Sequence, residues 1–194
     1  MLMVVISGPP GAGKTTLADL LRERYRWPLI SRDGLKELLF DTLGWSNKEW
    51  SQRLGGASYD LLALLTEKLM QTAHPFILET NFSTQFESRL GQLAKHYAYT
   101  PLVFHLSVPG GVLADRFRVR SLSGARHPGH QDRETLDQSL LRLRDGAFLP
   151  PSRLGEHVVV VDASEPWSPA SVAAVIVKID DLRAALGSPT PDAK

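Results

Sequence analysis

The segment Gly8-Pro9-Pro10-Gly11-Ala12-Gly13-Lys14-Thr15, near the start of the chain, decides the fold. It matches the pattern G-x-x-x-x-G-K-[ST] of a phosphate-binding loop at every defined position. The apolar run 2–6 precedes it, and an amphipathic stretch with Leu17, Leu20 and Leu21 follows it. Strand, loop and helix are therefore predicted in the order that this motif needs.

The residues of this phosphate loop predict the chemistry of a nucleoside triphosphate site. Glycines let successive backbone N–H groups face one point, and the positive end of the next helix faces the same point. Lys14 is predicted to reach the β- and γ-phosphates, and the Thr15 hydroxyl to bind Mg²⁺. A glycine turn without a ligand is the alternative. The predicted nucleotide-binding residues of the loop are Gly8, Gly11, Ala12, Gly13, Lys14, Thr15 and Thr16.

Composition limits the other classes of function. The chain has 194 residues, of which 43% are hydrophobic, so one domain with a substantial core is expected. The formal net charge of +1 argues against strong electrostatic binding of nucleic acid or membranes. The absence of cysteine excludes disulfides, thiolate metal sites and thiol nucleophiles. With no signal-peptide pattern and no apolar membrane span, we expect a soluble, cytoplasmic protein.

The order of apolar runs and helical patterns predicts an α/β fold. Short apolar runs predict strands at 2–6, 28–31, 76–80, 102–107 and 158–162. The last run shows no polar alternation, so both of its faces are expected to be buried. Leucines 35, 38, 39 and 43 predict one helix face, and Ser168 with Pro169 predicts the start of the last helix. We expect one domain over 1–187 with helices on both faces of a parallel sheet, and a flexible tail over 188–194.

Three further segments give the chain a resemblance to a known group of enzymes. Ser31-Arg32-Asp33 closes the second strand, Glu79-Thr80-Asn81 closes the third, and 113–126 reads L-x-x-R-x-x-x-R with a third arginine. Guanine-binding and motor-ATPase signatures are absent from the sequence. The span 1–186 resembles the small P-loop kinases of the nucleoside monophosphate kinase-like group. This group includes AAA-type ATP-binding kinases, shikimate and gluconate kinases, chloramphenicol phosphotransferase, the polynucleotide kinase domain and zeta toxins.

The resemblance implies a fold and a reaction. The implied fold is a three-layer α/β/α P-loop NTPase with a five-stranded parallel sheet and an arginine-bearing lid at about 121–134. The implied reaction is ATP- and Mg²⁺-dependent transfer of the γ-phosphoryl group to a hydroxyl of a small molecule, a metabolite or an antibiotic. Alternatives are a 5′-hydroxyl polynucleotide or nucleotide-sugar kinase and, in another class, a nucleotide-binding ATPase or switch. A phosphate acceptor is less favoured because residues 33–80 offer only Arg53 as an arginine.

Two carboxylates are candidate site residues. Asp33 follows a strand end, where ligands of α/β proteins bind, and the resemblance implies that it acts as the general base on the acceptor hydroxyl. Its alternative is a helix N-cap. Glu79 ends the third strand and is predicted to hold a Mg²⁺-bound water or to orient the acceptor. This kinase group more often has Asp there, and a surface carboxylate is the alternative.

Arginines of the predicted lid are candidates for phosphate contacts. The resemblance implies that Arg116 covers the adenine, while Arg120 and Arg126 reach phosphates and stabilise the charge of the transferring group. A solvated basic helix is the alternative. The remaining arginines of this region are interpreted as surface residues: Arg118, Arg133, Arg142 and Arg144.

One group of histidines and one group of aromatic residues each allow two interpretations. His127-Pro128-Gly129-His130 with Asp132 offers only two imidazoles, so a lid tip that contacts substrate is favoured over a metal site. Trp45, Trp50 and Tyr59 either cover the acceptor or pack in the core.

Overall fold

The computed structural model describes residues 1–124, 126–146 and 148–187. The predicted tail at 188–194 lies outside the described residues. The central sheet has five strands in the order β2-β3-β1-β4-β5, and every pair of neighbours is parallel. The predicted five-stranded parallel sheet is therefore confirmed. Its strands are β1 Leu2–Ser7, β2 Leu29–Ser31, β3 Phe76–Glu79, β4 Thr100–Ser107 and β5 Val158–Asp162.

Seven α-helices connect and flank the strands in the described part of the chain. A short 3-10 helix, Pro128–His130, lies between the fifth and sixth of them. No helix in these described residues is long and apolar enough to cross a bilayer. The helices are α1 Lys14–Tyr25, α2 Arg32–Leu43, α3 Lys48–Met70, α4 Thr84–His96, α5 Gly110–Ser123, α6 Leu136–Arg144 and α7 Pro169–Ala185.

Strand β1 lies at the centre of the three layers. Its side chains alternate between the two faces of the sheet, as they do in any strand. Leu2, Val4 and Ile6 pack with residues of α1, α5 and α7, whereas Met3 and Val5 pack with residues of α3 and α4. All five side chains are fully buried, and each burial stabilises the fold by about 1.5–3 kcal/mol. The phosphate loop therefore follows a central strand whose side chains are buried on both faces of the sheet.

The last helix begins as its sequence predicts. The Ser168 side chain accepts a hydrogen bond from the Ser171 backbone N–H, and the Ser171 side chain accepts one from the Ser168 backbone N–H. Pro169 occupies the first turn, where its missing N–H is not needed. Helix α7 then packs Val175 and Ile179 into the core beside β1.

Two burial predictions are wrong. Strand β5 is an edge strand and Val160 is 57% exposed, so its run of valines is not buried on both faces. Helix α2 exists, but Leu38 and Leu43 on its predicted apolar face are 60% and 57% exposed. Its buried residues are Lys36 and Phe40, because α2 packs against α3 and the segment after α5.

Candidate active site

The phosphate loop has the backbone conformation that its glycines allow. Gly8, Gly11 and Gly13 have φ of 138°, 86° and 85°, in the region that favours glycine. A Cβ at Gly8 would also lie 2.6 Å from the carbonyl oxygen of Leu106. Helix α1 begins directly after Gly13, and no side chain caps it in the described structure. Its first N–H groups are therefore available to an anion.

Lys14 lies folded over this loop. Its Nζ donates to the carbonyl oxygens of Gly8, at 3.0 Å, and Pro9, at 2.9 Å. Burial lowers the pKa of Lys14 to about 8, although the negative charges of Asp33 and Glu79 act to raise it. The loop therefore holds a buried ammonium group within reach of two carboxylates.

Glu79 lies between the phosphate loop and the end of β2. Strand β3 separates β2 from β1, and Glu79 is in register with both Ser31 and Ile6. Its Oε1 accepts a hydrogen bond of 2.7 Å from Thr15 Oγ1. Its Oε2 is buried and has no hydrogen-bond partner in the part of the protein that is described. A buried carboxylate oxygen without a partner, beside a threonine hydroxyl, suits Mg²⁺ or a water bound to it.

Most of the predicted site residues line one cavity of about 320 Å³. Gly8 and Ala12 are buried parts of the loop that lie outside its lining. Arg126 is also outside the lining but contacts Asp33, which is part of it. The carboxyl ends of parallel strands meet at one edge of the sheet, which is why residues distant in sequence share this cavity. Its lining is Pro10, Gly11, Gly13, Lys14, Thr15, Thr16, Asp33, Glu79, Arg116 and Arg120.

Asp33 is in the first turn of α2 and does not cap the helix. Ser31 is the cap, because its Oγ accepts from the Gly34 N–H at 3.4 Å. Asp33 Oδ2 lies 2.6 Å from Nη2 of Arg126, and its Oδ1 lies 3.3 Å from Nη1 of Arg32. Burial acts to raise the pKa of Asp33, but the positive charges around it, that of Arg126 first, outweigh burial and hold it below its ordinary value.

The two arginines of α5 that line the cavity have different partners. Arg116 donates to the carbonyl oxygens of Ala163, at 2.8 Å, and Ser164, both in the loop after β5. Arg120 lies 3.6 Å from Asp132, too far for a hydrogen bond, and its Nε has no partner in the described part of the chain. Burial lowers the pKa of Arg120, with the charge of Arg126 adding to this effect. A buried guanidinium with unused donors suits an anionic ligand.

The segment 124–135, which we call the lid segment, joins α5 to α6 and lies on α2. Gly124 ends α5 with φ of 72°, so residues 121–123 of the predicted lid are helical. Ala125 is outside the described residues. Three ion pairs or hydrogen bonds attach this segment to α2: Arg126 to Asp33 at 2.6 Å, His127 to Asp41 at 3.1 Å, and His130 to Glu37 at 2.9 Å.

Phe40 forms the apolar part of this contact. Gly129 lies against its ring, and the rings of His127 and His130 lie 5.1 and 5.3 Å from it between centroids. Burial and the charge of Arg126 lower the pKa of His130 to about 3, so its imidazole is neutral. Among the residues described, no group of three or more His, Cys, Asp or Glu side chains could hold a metal ion.

The three aromatic candidates contact protein groups near α2 and α3. Trp45 is half-exposed and lies edge-on to His127, with ring centroids 6.3 Å apart. The Trp50 indole donates to the Gly44 carbonyl at 2.9 Å. The Arg32 guanidinium carbon lies 4.3 Å from the centroid of the Tyr59 ring, and the Tyr59 hydroxyl donates to the Asn81 carbonyl.

Sequence reasoning missed two residues that shape the site. Trp167 donates from its indole nitrogen to the Gly13 carbonyl at 3.1 Å, and so forms a wall of the phosphate loop. No local pattern in the sequence predicts this contact across 154 positions. Arg32 has no role in the sequence-based prediction, although its Nη1 lies 3.3 Å from Asp33 Oδ1.

The family of the chain follows from its sequence as well as its geometry. The AAA domain family matches residues 3–145, which include the phosphate loop, Asp33, Glu79 and the arginines of α5. The chain belongs to this AAA-domain family. No curated protein matches the sequence at a significant level.

Solved structures of two proteins named as kinases, and that of Kti12, share this fold. A presumed kinase from Chloroflexus aurantiacus is 33% identical, with a TM-score of 0.83, over 93% of this chain and 97% of that one. A gluconokinase from Sinorhizobium meliloti is 20% identical, with a TM-score of 0.59, over 95% of this chain and 94% of that one. Kti12 from Chaetomium thermophilum, solved with ADP-AlF3, is 16% identical, with a TM-score of 0.63, over 92% of this chain and 97% of that one. The AAA-domain protein described here therefore has the fold of a small P-loop kinase, as its sequence predicted.

Proposed function

We propose that this AAA-domain protein is an ATP- and Mg²⁺-dependent kinase that transfers the γ-phosphoryl group to a hydroxyl of a small molecule. One observation carries the proposal: a single cavity is lined by the phosphate loop and by Asp33, a carboxylate at the acceptor side. A base so placed can accept the proton of an attacking hydroxyl. The gluconokinase with the same fold supports a small acceptor.

The phosphate loop and its neighbours bind the nucleotide. Backbone N–H groups of the loop and of the start of α1 hold the phosphates, and Lys14 exchanges its two carbonyl partners for phosphate oxygens. Thr15 and Glu79 would hold Mg²⁺, which neutralises charge on the β- and γ-phosphates when bound. The Arg116 side chain extends from α5 to the loop after β5 and passes beside the phosphate loop. This position suits contact with the base of ATP.

The transfer step uses Asp33 as the base. The acceptor oxygen forms a bond to the γ-phosphorus while its proton passes to a carboxylate oxygen of Asp33. The bond from the γ-phosphorus to the β–γ bridging oxygen breaks, and ADP leaves with that electron pair. Arg120 and Arg126 stabilise the negative charge on the transferring oxygens. Because Arg126 holds Asp33 Oδ2 at 2.6 Å, we expect the acceptor to displace Arg126 from Asp33.

The test is acceptor-dependent ADP release from a panel of sugars, sugar acids, aminoglycosides and a short oligonucleotide. Asp33→Asn is expected to lower kcat by about 10²–10⁴-fold, because the base is lost, while the Kd for ATP changes little. Asp60→Asn, an exposed carboxylate on α3, is the matched control and is expected to keep full activity.

Three results would contradict the proposal. ADP release that no acceptor stimulates would indicate an ATPase or switch. Transfer to the oligonucleotide alone, with strongly salt-dependent binding, would indicate a nucleic acid kinase. An Asp33→Asn variant that loses thermal stability but keeps its kcat would show that Asp33 is structural.

A further inference from the structure

A second cavity, of about 190 Å³, lies between α2, α3, the lid segment and α6. Its lining includes three cationic side chains, Lys36, Lys48 and Arg142. The other lining residues carry hydroxyls, amides or the His130 imidazole, and none is acidic. A concave, positively charged surface of this kind suits an anionic group.

Lys36 is the buried cation of this cavity. It is only 9% exposed, and its Nζ donates to Ser51 Oγ at 3.0 Å and lies 5.1 Å from the centre of the Phe40 ring. No carboxylate of the described residues forms an ion pair with it within 4.0 Å. Burial lowers the pKa of Lys36 to about 8 and the charge of Arg32 adds to this effect, although the negative charges of Asp33 and Asp132 act to raise it. A buried ammonium without a direct ion pair is costly, and an anion in the cavity would offset that cost.

The two other cations are exposed at the mouth of the cavity. Lys48 on α3 donates to Gln138 Oε1 on α6 at 3.1 Å, so it joins the two walls. Arg142 lies one turn further along α6, on the same side as Gln138. Exposed cations attract an anion from solution, and the buried Lys36 ammonium then fixes its position.

The cavity adjoins the proposed reaction site. Asp33 and Lys36 are three residues apart on α2, so they share one side of the helix, with about 5–6 Å between their Cβ atoms. Arg126 of the lid segment connects the two regions, because its Nη2 contacts both Asp33 and His130 Nδ1, at 2.6 and 3.2 Å. His130 in turn lines the second cavity. The side chains of Arg126 and His130 therefore lie between Asp33 and the second cavity.

We propose that this cavity binds an anionic group of the acceptor, a phosphate or a carboxylate, while the acceptor hydroxyl lies at Asp33. The proposal rests on the kinase function proposed above and names the substrate class: a hydroxylated molecule with an acid group. The scarcity of arginines in residues 33–80 argues against a phosphate as the acceptor group, and Arg53 there is exposed and paired with Glu49. It does not argue against a hydroxyl acceptor with an acid group, because Lys36 and Lys48 supply positive charge here.

The first experiment measures anion binding without any reaction. Inorganic phosphate is titrated calorimetrically into the protein saturated with Mg²⁺ and a non-hydrolysable ATP analogue, so that the phosphate loop is already filled. Lys36→Gln is expected to weaken phosphate binding by about 10-fold to 100-fold, as expected for a hydrogen bond to a charged group. Arg142→Gln, an exposed change that does not threaten the fold, is expected to weaken it by a smaller factor. Lys68→Gln, an exposed lysine on α3, is the control and is expected to bind as the wild type does.

The second experiment compares matched acceptors: a sugar acid with its neutral polyol, and a sugar phosphate with the free sugar. The wild type is expected to prefer the acidic member of each pair. Lys36→Gln is expected to raise the KM for that member by a similar factor and to leave the KM for ATP unchanged.

The outcomes separate this proposal from the kinase function. Phosphate binding that is absent in the wild type, or unaffected by Lys36→Gln and Arg142→Gln, overturns the anion site even when neutral acceptors are phosphorylated. Phosphate binding that depends on Lys36, with no preference for acidic acceptors, assigns the cavity to a free anion and overturns the acceptor assignment. Phosphate binding that depends on Lys36, with no transfer to any acceptor, supports the anion site and contradicts the kinase function.

Discussion

The substitution Gly129→Ala tests whether the lid segment is held on α2 as the structure shows. A Cβ built at Gly129 lies 2.6, 2.7 and 2.8 Å from three ring atoms of Phe40. The ring cannot move away easily, because it is 1% exposed and lies between Lys36 and His127. Gly129 has no positive φ, so alanine fits its backbone without strain and the contact alone is tested.

The magnitude follows from the cost of overpacking. An extra methyl group in a tight contact costs about 1–3 kcal/mol. Because the clash is between the lid segment and α2, releasing the segment relieves it without unfolding the core. The ratio of released to docked lid is therefore expected to rise by about 5-fold to 150-fold. Hydrogen exchange of peptides over 126–135 should accelerate accordingly, while exchange in α4 and β1 stays unchanged.

Gly111→Ala is the matched control. Gly111 is in α5, and a Cβ there meets nothing within 4 Å. We expect unchanged exchange in the lid segment and a stabilisation below the value of about 0.5–1 kcal/mol that alanine gives in a helix interior, because Gly111 is the second residue of α5. A folded Gly129→Ala variant with the lid exchange of the wild type would refute the reasoning. It would mean that Phe40 is not covered by the lid segment in solution.

Three other predictions concern charged residues of the site. Lys14→Ala is expected to lower kcat by about 100-fold or more with the fold intact, measured by ADP release, and near wild-type turnover would contradict the kinase proposal. Arg120→Ala is expected to lower kcat more than it weakens ATP binding, whereas Arg118→Ala, exposed on the same helix, should change neither. The pKa of Asp33 is lower in the folded state than in the unfolded state, so its contribution to the free energy of unfolding is present above about pH 4 and is lost as the pH falls through the folded-state value. Denaturant unfolding between pH 6 and 3 should show this loss in the wild type and a smaller loss in Arg126→Ala; equal losses would show that Arg126 does not set the pKa.

The layers of the fold were predictable because each element has a local signal. Buried runs of apolar residues mark parallel strands, and apolar residues at helical spacing mark the helices between them. Predicted strand bounds differ from the observed ones by no more than two residues, as at β4, which begins at Thr100 rather than 102. The burial of β5 was not predictable in the same way. Four valines indicate burial on both faces, but the order of strands in the sheet decides which strand lies at the edge.

The grouping of Lys14, Asp33 and Glu79 was predictable for a topological reason. Each follows or ends a parallel strand, and the carboxyl ends of such strands meet at one edge. The Asp33–Arg126 pair was not predicted, because the two residues are 93 positions apart and Arg126 lies outside the helices and strands, where no periodic pattern indicates its direction. The prediction of which side of α2 is buried was wrong because it, too, depends on a contact between residues distant in sequence. Helical spacing selects leucines, whereas the contact with the lid segment selects Phe40 and Lys36.

The ion pair between Asp33 and Arg126 has a consequence for the proposed reaction. Water is always present in an open cavity and competes with the acceptor for the γ-phosphoryl group. While Arg126 is bound to Asp33, the carboxylate is a weak base and Oδ2 is occupied, so a water molecule there is poorly activated. An acceptor that displaces Arg126 has to replace that ion pair with contacts of its own, which water cannot do. The freed guanidinium is then available to the phosphoryl oxygens, where negative charge develops during transfer. In the proposed reaction we therefore expect Arg126 to limit hydrolysis while it is paired with Asp33 and to assist transfer once it is released, and we expect the acceptor that releases it to make more contacts than a single hydroxyl provides.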